Sequence, residues 1–214
     1  MRRILVALLW APATLLAAAA SHPLDRAPLE PRDLVSLQAG ARTFVNYCLN
    51  CHGAQYMRYN RLGDLGLTEA QIRDNLMFAA EKVGETMTVA MTVKDGKAWF
   101  GVPPPDLSVI ARARGGDWLY TYLRSFHRDE KTPSGWNNRV FANVAMPHVL
   151  WQLQAEQGVV QYDRTVRDLV NFLVYLGEPA AQSRKSIGIV VLFVLGVLFV
   201  LAYAMKKAFW KDIR

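Results

Sequence analysis

Apolar positions in this chain fall mostly at helical spacing. Leu34, Leu37, Ala41, Phe44 and Val45 share one face of a helix that Asp33 can cap and that runs towards Tyr47. Gly40 lies on the same face, which predicts close approach by a second helix. Thr68 and Gln71 form a capping-box pattern ahead of a helix from Glu69 to about Glu81. Thr86 to Val93 alternates and reads as a short strand or extended loop. After the break at Gly101 to Pro105, Asp106 is a plausible cap for a new segment, and Gly115-Gly116-Asp117 restarts a helix carrying Trp118, Leu119, Tyr122, Leu123 and Phe126. Lys131 to His148 reads as a long loop. Asp163 caps a last amphipathic helix whose stripe is Val166, Leu169, Val170, Leu173 and Leu176, ended by Gly177 and Pro179. No internal repeat is visible. The pattern predicts a mostly α fold with long loops.

Two segments depart from that amphipathic pattern. Ile187 to Met205 has no charged residue and is apolar on every face, long enough at ~20 residues per crossing to span a bilayer. Met1 to Ala20 has a basic start, an apolar run from Ile4 to Leu16 and small residues at Ala18 and Ala20, the pattern of a secretory signal peptide cleaved before Ser21. The expected organisation is therefore a signal peptide (1–20), an exported domain (21–183), a transmembrane helix (187–205) and a tail (206–214).

Charge then refines this picture. The formal net charge is +7, yet Lys plus Arg balance Asp plus Glu over 21–183. The excess flanks the apolar segments and is densest after Ile187 to Met205, so it reports membrane topology and gives no basic face for a nucleic acid. The expected arrangement is single-pass, with the C-terminus cytoplasmic and the domain outside, periplasmic in a bacterial inner membrane.

The chemistry concentrates at Cys48-Leu49-Asn50-Cys51-His52, a C-x-x-C-H sequence. Two thiols at this spacing can add to the vinyl groups on one edge of a porphyrin, and the next imidazole then lies under the iron. The cofactor expected is one haem c, covalent through Cys48 and Cys51, with His52 as an axial ligand. A dithiol redox pair is the weaker reading, since no βαβ pattern surrounds the motif. A zinc site would need a second cysteine pair, and the chain has only 2 cysteines. A disulfide across two residues would be a tight, strained loop. Met146, in a loop stiffened by Pro147, is the candidate second axial ligand; Met87, Met91 and His148 are the alternatives left open by spacing.

Further stretches carry a family resemblance. Gln38-x-Gly40, Phe44, the C-x-x-C-H motif, Met57-Arg-Tyr-Asn-Arg-Leu62, Pro104-Pro-Asp-Leu-Ser108 through Arg114, Trp136-Asn-Asn138 and the tail Tyr203 to Trp210 resemble cytochrome c1 in type and order. The resemblance implies a c-type cytochrome haem domain with a C-terminal membrane anchor. It implies thioether sites at Cys48 and Cys51, axial ligands His52 and Met146, and Arg114 near a haem propionate. It also implies a place in the quinol–cytochrome c reductase (cytochrome bc1) complex, beside cytochrome b and a Rieske iron–sulfur subunit, with a soluble cytochrome c as acceptor. Such a chain moves single electrons and does no bond chemistry itself. Many family members carry Tyr where Trp118 stands, so no hydroxyl contact is carried over there, and the extra cysteine pair of some relatives is missing. The competing readings are a free membrane-tethered electron shuttle and a haem sensor or peroxidase with an open iron position.

Overall fold

The computed structural model describes residues 22–212, so the expected signal segment Met1 to Ala20 lies outside them. Helix α1 (Leu34–Thr43) starts where the sequence places it, with Asp33 Oδ1 accepting from the Val35 and Ser36 amides. One π-helical turn, Phe44–Cys48, carries the chain into the C-x-x-C-H motif. Strand β1 (Ala54–Arg58) follows, then a 3₁₀ segment over Tyr59–Leu65.

Helix α2 (Glu69–Leu76) has the expected capping box between Thr68 and Gln71 but stops well short of Glu81. Leu76 and Met77 are both buried, and the chain leaves the helix to return towards β1, with the Tyr59 and Asn60 amides at the start of the 3₁₀ segment donating to the Glu85 and Val83 carbonyls. Strand β2 is only Thr86–Met87, antiparallel to β1. A helix that the alternation hid, α3 (Val93–Phe100), begins at Thr92, whose hydroxyl accepts from the Asp95 amide, and ends at Gly101 with a φ of 78°.

Helices α4 (Ile110–Arg114) and α5 (Gly116–Arg124) meet at Gly115, φ 89°. The helix expected through Phe126 therefore ends earlier, and Phe126 opens β3 (Phe126–Arg128), which pairs antiparallel with β4 (Trp136–Asn138) inside the expected loop. Helix α6 (Trp151–Gly177) also begins before Asp163, with a kink at Gly158. Asp163 is not its cap. Its carboxylate takes the Arg124 guanidinium on two bonds, Nε at 2.6 Å and Nη2 at 2.9 Å, while Arg124 Nη1 reaches Asp25.

The core is organised where α1 crosses α6. Leu37, Ala41 and Phe44 meet Val166, Leu169 and Phe172, all buried, and the Phe44 and Phe172 rings lie 5.5 Å apart. Gly40 sits at the crossing as expected: a Cβ there would stand 2.0 Å from the Asp168 carbonyl oxygen. Helices α4 and α5 pack on α6 too, and the buried Tyr162 hydroxyl donates to the Leu123 carbonyl. The extended arm before α1 is strapped down, with the Asp25 amide on Thr121 Oγ1 and the Ala27 amide on Asp117 Oδ1.

Helix α7 (Ala181–Phe209) contains the apolar stretch Ser183–Phe209, long and apolar enough to cross a membrane. Twenty-seven residues at ~1.5 Å each span about 40 Å, more than the ~30 Å hydrocarbon layer. Its large side chains, Leu192 and Phe193 among them, are exposed, as lipid-facing residues would be.

Gly40→Ala should cost about 3 kcal/mol, because the added methyl meets backbone that cannot step aside. Gly63→Ala, where a Cβ meets nothing within 4 Å, should be near neutral. Thermal unfolding of the two variants side by side tests this, and equal midpoints would refute the crossing as the tight contact.

Candidate haem site

The π-helical turn at the end of α1 delivers Cys48 into the core and leaves Cys51 and His52 half-buried. The Cys51 and His52 amides both return to the Cys48 carbonyl, at 3.0 and 2.8 Å, so the motif is one tight turn. Both thiols are free. Burial pushes the Cys48 thiol up to about 12, with Cys51 adding to the shift, and burial raises Cys51 as well. Both are therefore neutral S–H groups at neutral pH, unlike the depressed thiols of a dithiol redox pair.

His52 is held by its far nitrogen. Nδ1 lies 2.7 Å from the Pro105 carbonyl oxygen. A carbonyl can only accept, so Nδ1 carries the proton and Nε2 keeps its lone pair. Burial lowers the imidazole pKa, while the Pro105 bond and the Asp106 carboxylate pull it the other way. The result is a neutral imidazole in fixed orientation with Nε2 free to donate, the form an iron ligand requires.

The segment bearing Pro105 is docked on the residues after His52. The Leu107 amide donates to the Gly53 carbonyl, the Gln55 amide to Asp106 Oδ2, and the Tyr56 amide to Ser108 Oγ. Asp106 Oδ1 takes the Ser108 amide. Asp106 is thus not a helix cap, as the sequence suggested; it clamps two separate stretches behind the imidazole. Its short side chain meets backbone amides from both, a pairing that depends on a fifty-residue return of the chain and has no local signature. A cleft of about 330 Å³ opens here, with Cys51, Gly53, Met91 and Pro104 among its walls. A larger groove of about 830 Å³ between α1, α2 and α6 is lined by none of Cys51, His52, Arg114 or Met146.

Met146 comes from the other half of the domain. Its loop is clasped by the two adjacent asparagines. Asn137 Oδ1 accepts from the Asn143 amide, and Asn143 itself adopts the left-handed region at φ 57°. Asn138 Nδ2 donates to the Tyr122 carbonyl at 2.7 Å, while its Oδ1 accepts from the Val140 and Phe141 amides. The Tyr122 hydroxyl lies 3.4 Å from Met146 Sδ. His52 is thus tied to Pro105 and Met146 to Tyr122.

The alternative donors stand elsewhere. His148 is buried, stacked on Phe126 at 4.9 Å, and its Nε2 pairs with Gln154 Oε1 at 2.7 Å. Met87 is fully buried in β2 opposite Ala54, and Met91 packs with the Pro103–Pro104 stretch next to the segment that holds Nδ1. Arg114 is exposed at the end of α4, its guanidinium 5.1 Å above the Trp118 ring, which in turn stacks on Tyr122 at 4.8 Å. Burial raises the Tyr122 phenol well above its usual range, so the hydroxyl remains a donor.

Two thiols and a pinned imidazole at C-x-x-C-H spacing, in a mostly helical domain, are the pattern of a c-type cytochrome. A sequence model described as "Cytochrome C1 family" matches residues 90–213. The chain is 46% identical to cytochrome c1 of Allochromatium vinosum, covering all of both chains. It is 49% identical to the ammonia monooxygenase gamma subunit of Nitrosomonas europaea, over 98% of this chain and 97% of that one. It is 29% identical to cytochrome c1 of Rhodospirillum rubrum, over 85% of this chain and 83% of that one. The chain belongs to the cytochrome c1 family, the haem subunit of the cytochrome bc1 complex.

Asp106→Ala removes an acceptor from both the Gln55 and Ser108 amides. A loss of about 1–3 kcal/mol in denaturant unfolding is expected, with weakened fixation of His52. An unchanged midpoint would mean the clamp is not needed to hold Pro105 against the imidazole.

Proposed function

We propose that this chain is a membrane-anchored monohaem cytochrome c1 that passes single electrons from a Rieske iron–sulfur protein to a soluble cytochrome c, within a quinol–cytochrome c reductase. The observation that carries the reading is His52, neutral and held through Nδ1, beside two free thiols at attachment spacing in a chain of this family. A bound haem supplies a one-electron iron centre. Cys48 and Cys51 hold it by thioether bonds. His52 Nε2 and Met146 Sδ would ligate its iron, and Arg114 would pair with a propionate. A thioether ligand favours the reduced iron and raises the potential, which suits a late acceptor in a quinol chain. With His52 and Met146 both donating to the iron, no position would be left for a substrate, and the chain would pass only electrons. The tethered α7 keeps the domain at the membrane surface where quinol is oxidised, raising its effective concentration beside its donor.

The same reading sets the topology. The segment 1–20 exports the domain, residues 21–183 lie in the periplasm, α7 stops transfer, and Lys206, Lys207 and Lys211 keep the tail cytoplasmic. The likeness to an ammonia monooxygenase gamma subunit favours a second reading, in which this haem subunit works beside an ammonia-oxidising enzyme.

Denaturation in acid and organic solvent should leave the haem on the polypeptide; free extraction would refute thioether attachment through Cys48 and Cys51. Purification in mild detergent should recover cytochrome b and a Rieske protein. Recovery with ammonia monooxygenase subunits would select the second reading, and recovery alone would select the free shuttle. A chain ended at Ser183 should fail to support quinol-dependent reduction of cytochrome c in membranes, and full turnover by it would show the anchor to be dispensable.

A further inference from the structure

Tyr122 has no part in the donor set described above, yet it meets the Met146 loop twice. Its carbonyl accepts from Asn138 Nδ2 at 2.7 Å, and Asn138 in turn ties down the Val140 and Phe141 amides at the start of the loop. Its hydroxyl points at Met146 Sδ, 3.4 Å away. One residue thus holds the root of the loop through its backbone and the tip through its side chain.

The ring that carries this hydroxyl has little freedom. Trp118 stacks on it at 4.8 Å and 10°, and Phe126 meets it edge-on at 5.2 Å. Phe126 stacks on His148, which Trp136 and Tyr162 meet edge-on. Arg114 covers the outer face of Trp118, and Arg128 covers Trp136 at 3.9 Å. The hydroxyl is therefore carried by the second ring in a run of five contacting rings with an arginine at either end, and His148 joins that run to the backbone only two residues beyond Met146.

We propose that Tyr122 is a positioning residue for Met146, its hydroxyl donating to Sδ so as to orient the thioether and raise the reduction potential of the centre. A thioether sulfur has two lone pairs. One can go to iron while the other accepts the phenol proton, and both bonds have natural geometry at one sulfur. An O–H···S bond draws electron density from the sulfur, weakens its donation most towards oxidised iron and so favours the reduced state. The same bond selects one of the two lone pairs for the metal and so sets the handedness of ligation. The inference rests on the reading of Met146 as the axial ligand.

The test uses the full-length holoprotein in detergent and three chains: the parent, Tyr122→Phe and Met146→Leu. Phe keeps the ring, its stacking and the backbone carbonyl, and removes only the donor. The parent should show a sulfur-to-iron absorption band that Met146→Leu abolishes. Tyr122→Phe should keep covalent haem and low-spin iron, with a lower reduction potential, a shifted sulfur-to-iron band and loss of that band at lower denaturant than the parent. If Met146→Leu keeps the band, the ligand reading falls and the inference with it. If Met146→Leu loses the band while Tyr122→Phe matches the parent in band, potential and denaturant response, the inference alone is overturned. A Tyr122→Phe chain that takes up no haem would also overturn it, because the hydroxyl would then serve folding.

Discussion

The crossing of α1 and α6 at Gly40 is the constraint on which the rest of the molecule depends. Only a residue without Cβ lets the Asp168 carbonyl come so near the α1 backbone. That approach brings together buried apolar side chains from both helices, each worth about 1.5–3 kcal/mol when taken from water. It also has a geometric consequence. Helix α1 ends in the C-x-x-C-H turn, and α6 leads through Glu178 to Ala180 into the apolar α7. One packed joint therefore sets the thiol pair and imidazole on the same frame that leads into the long apolar helix α7.

The two axial candidates are held by unlike means. His52 is fixed from behind by a carbonyl, and that carbonyl is fixed by the Asp106 clamp on the Gln55 and Ser108 amides. Met146 is fixed from the side by a loop that Asn137 ties to β4 and Asn138 pins to α5, together with contacting aromatic rings. A carbonyl determines the tautomer of an imidazole, and hence which nitrogen keeps a lone pair. A thioether has no proton to assign, so its geometry depends on packing and on any donor that meets its second lone pair.

The relatives of this chain differ in name while agreeing in sequence, with a cytochrome c1 and an ammonia monooxygenase gamma subunit both near half identity across the whole length. Which complex such a chain joins is decided by surfaces, and those are carried by exposed positions that neither set the fold nor hold the donors.

Much was legible in the residues alone. The helical face of α1 with Gly40 in it, the Asp33 cap, the Thr68–Gln71 box, the stripe of α6 and the uncharged run of α7 are local patterns, and each stands where its spacing placed it. The C-x-x-C-H turn was legible for the same reason, since its chemistry depends on neighbours in sequence. Other features needed the tertiary structure. Asp106 and Asp163 both look like helix caps locally, and both were claimed by distant partners, the Gln55 amide and the Arg124 guanidinium. Helix α2 ended early because its last apolar residues had to be buried and the chain had to return to β1. The partnership of Tyr122 with Met146, and of Asn138 with the Tyr122 carbonyl, joins elements that no periodicity links. Local spacing determines what a segment can become on its own, whereas a short polar side chain takes whichever partner the packed chain brings within hydrogen-bond reach.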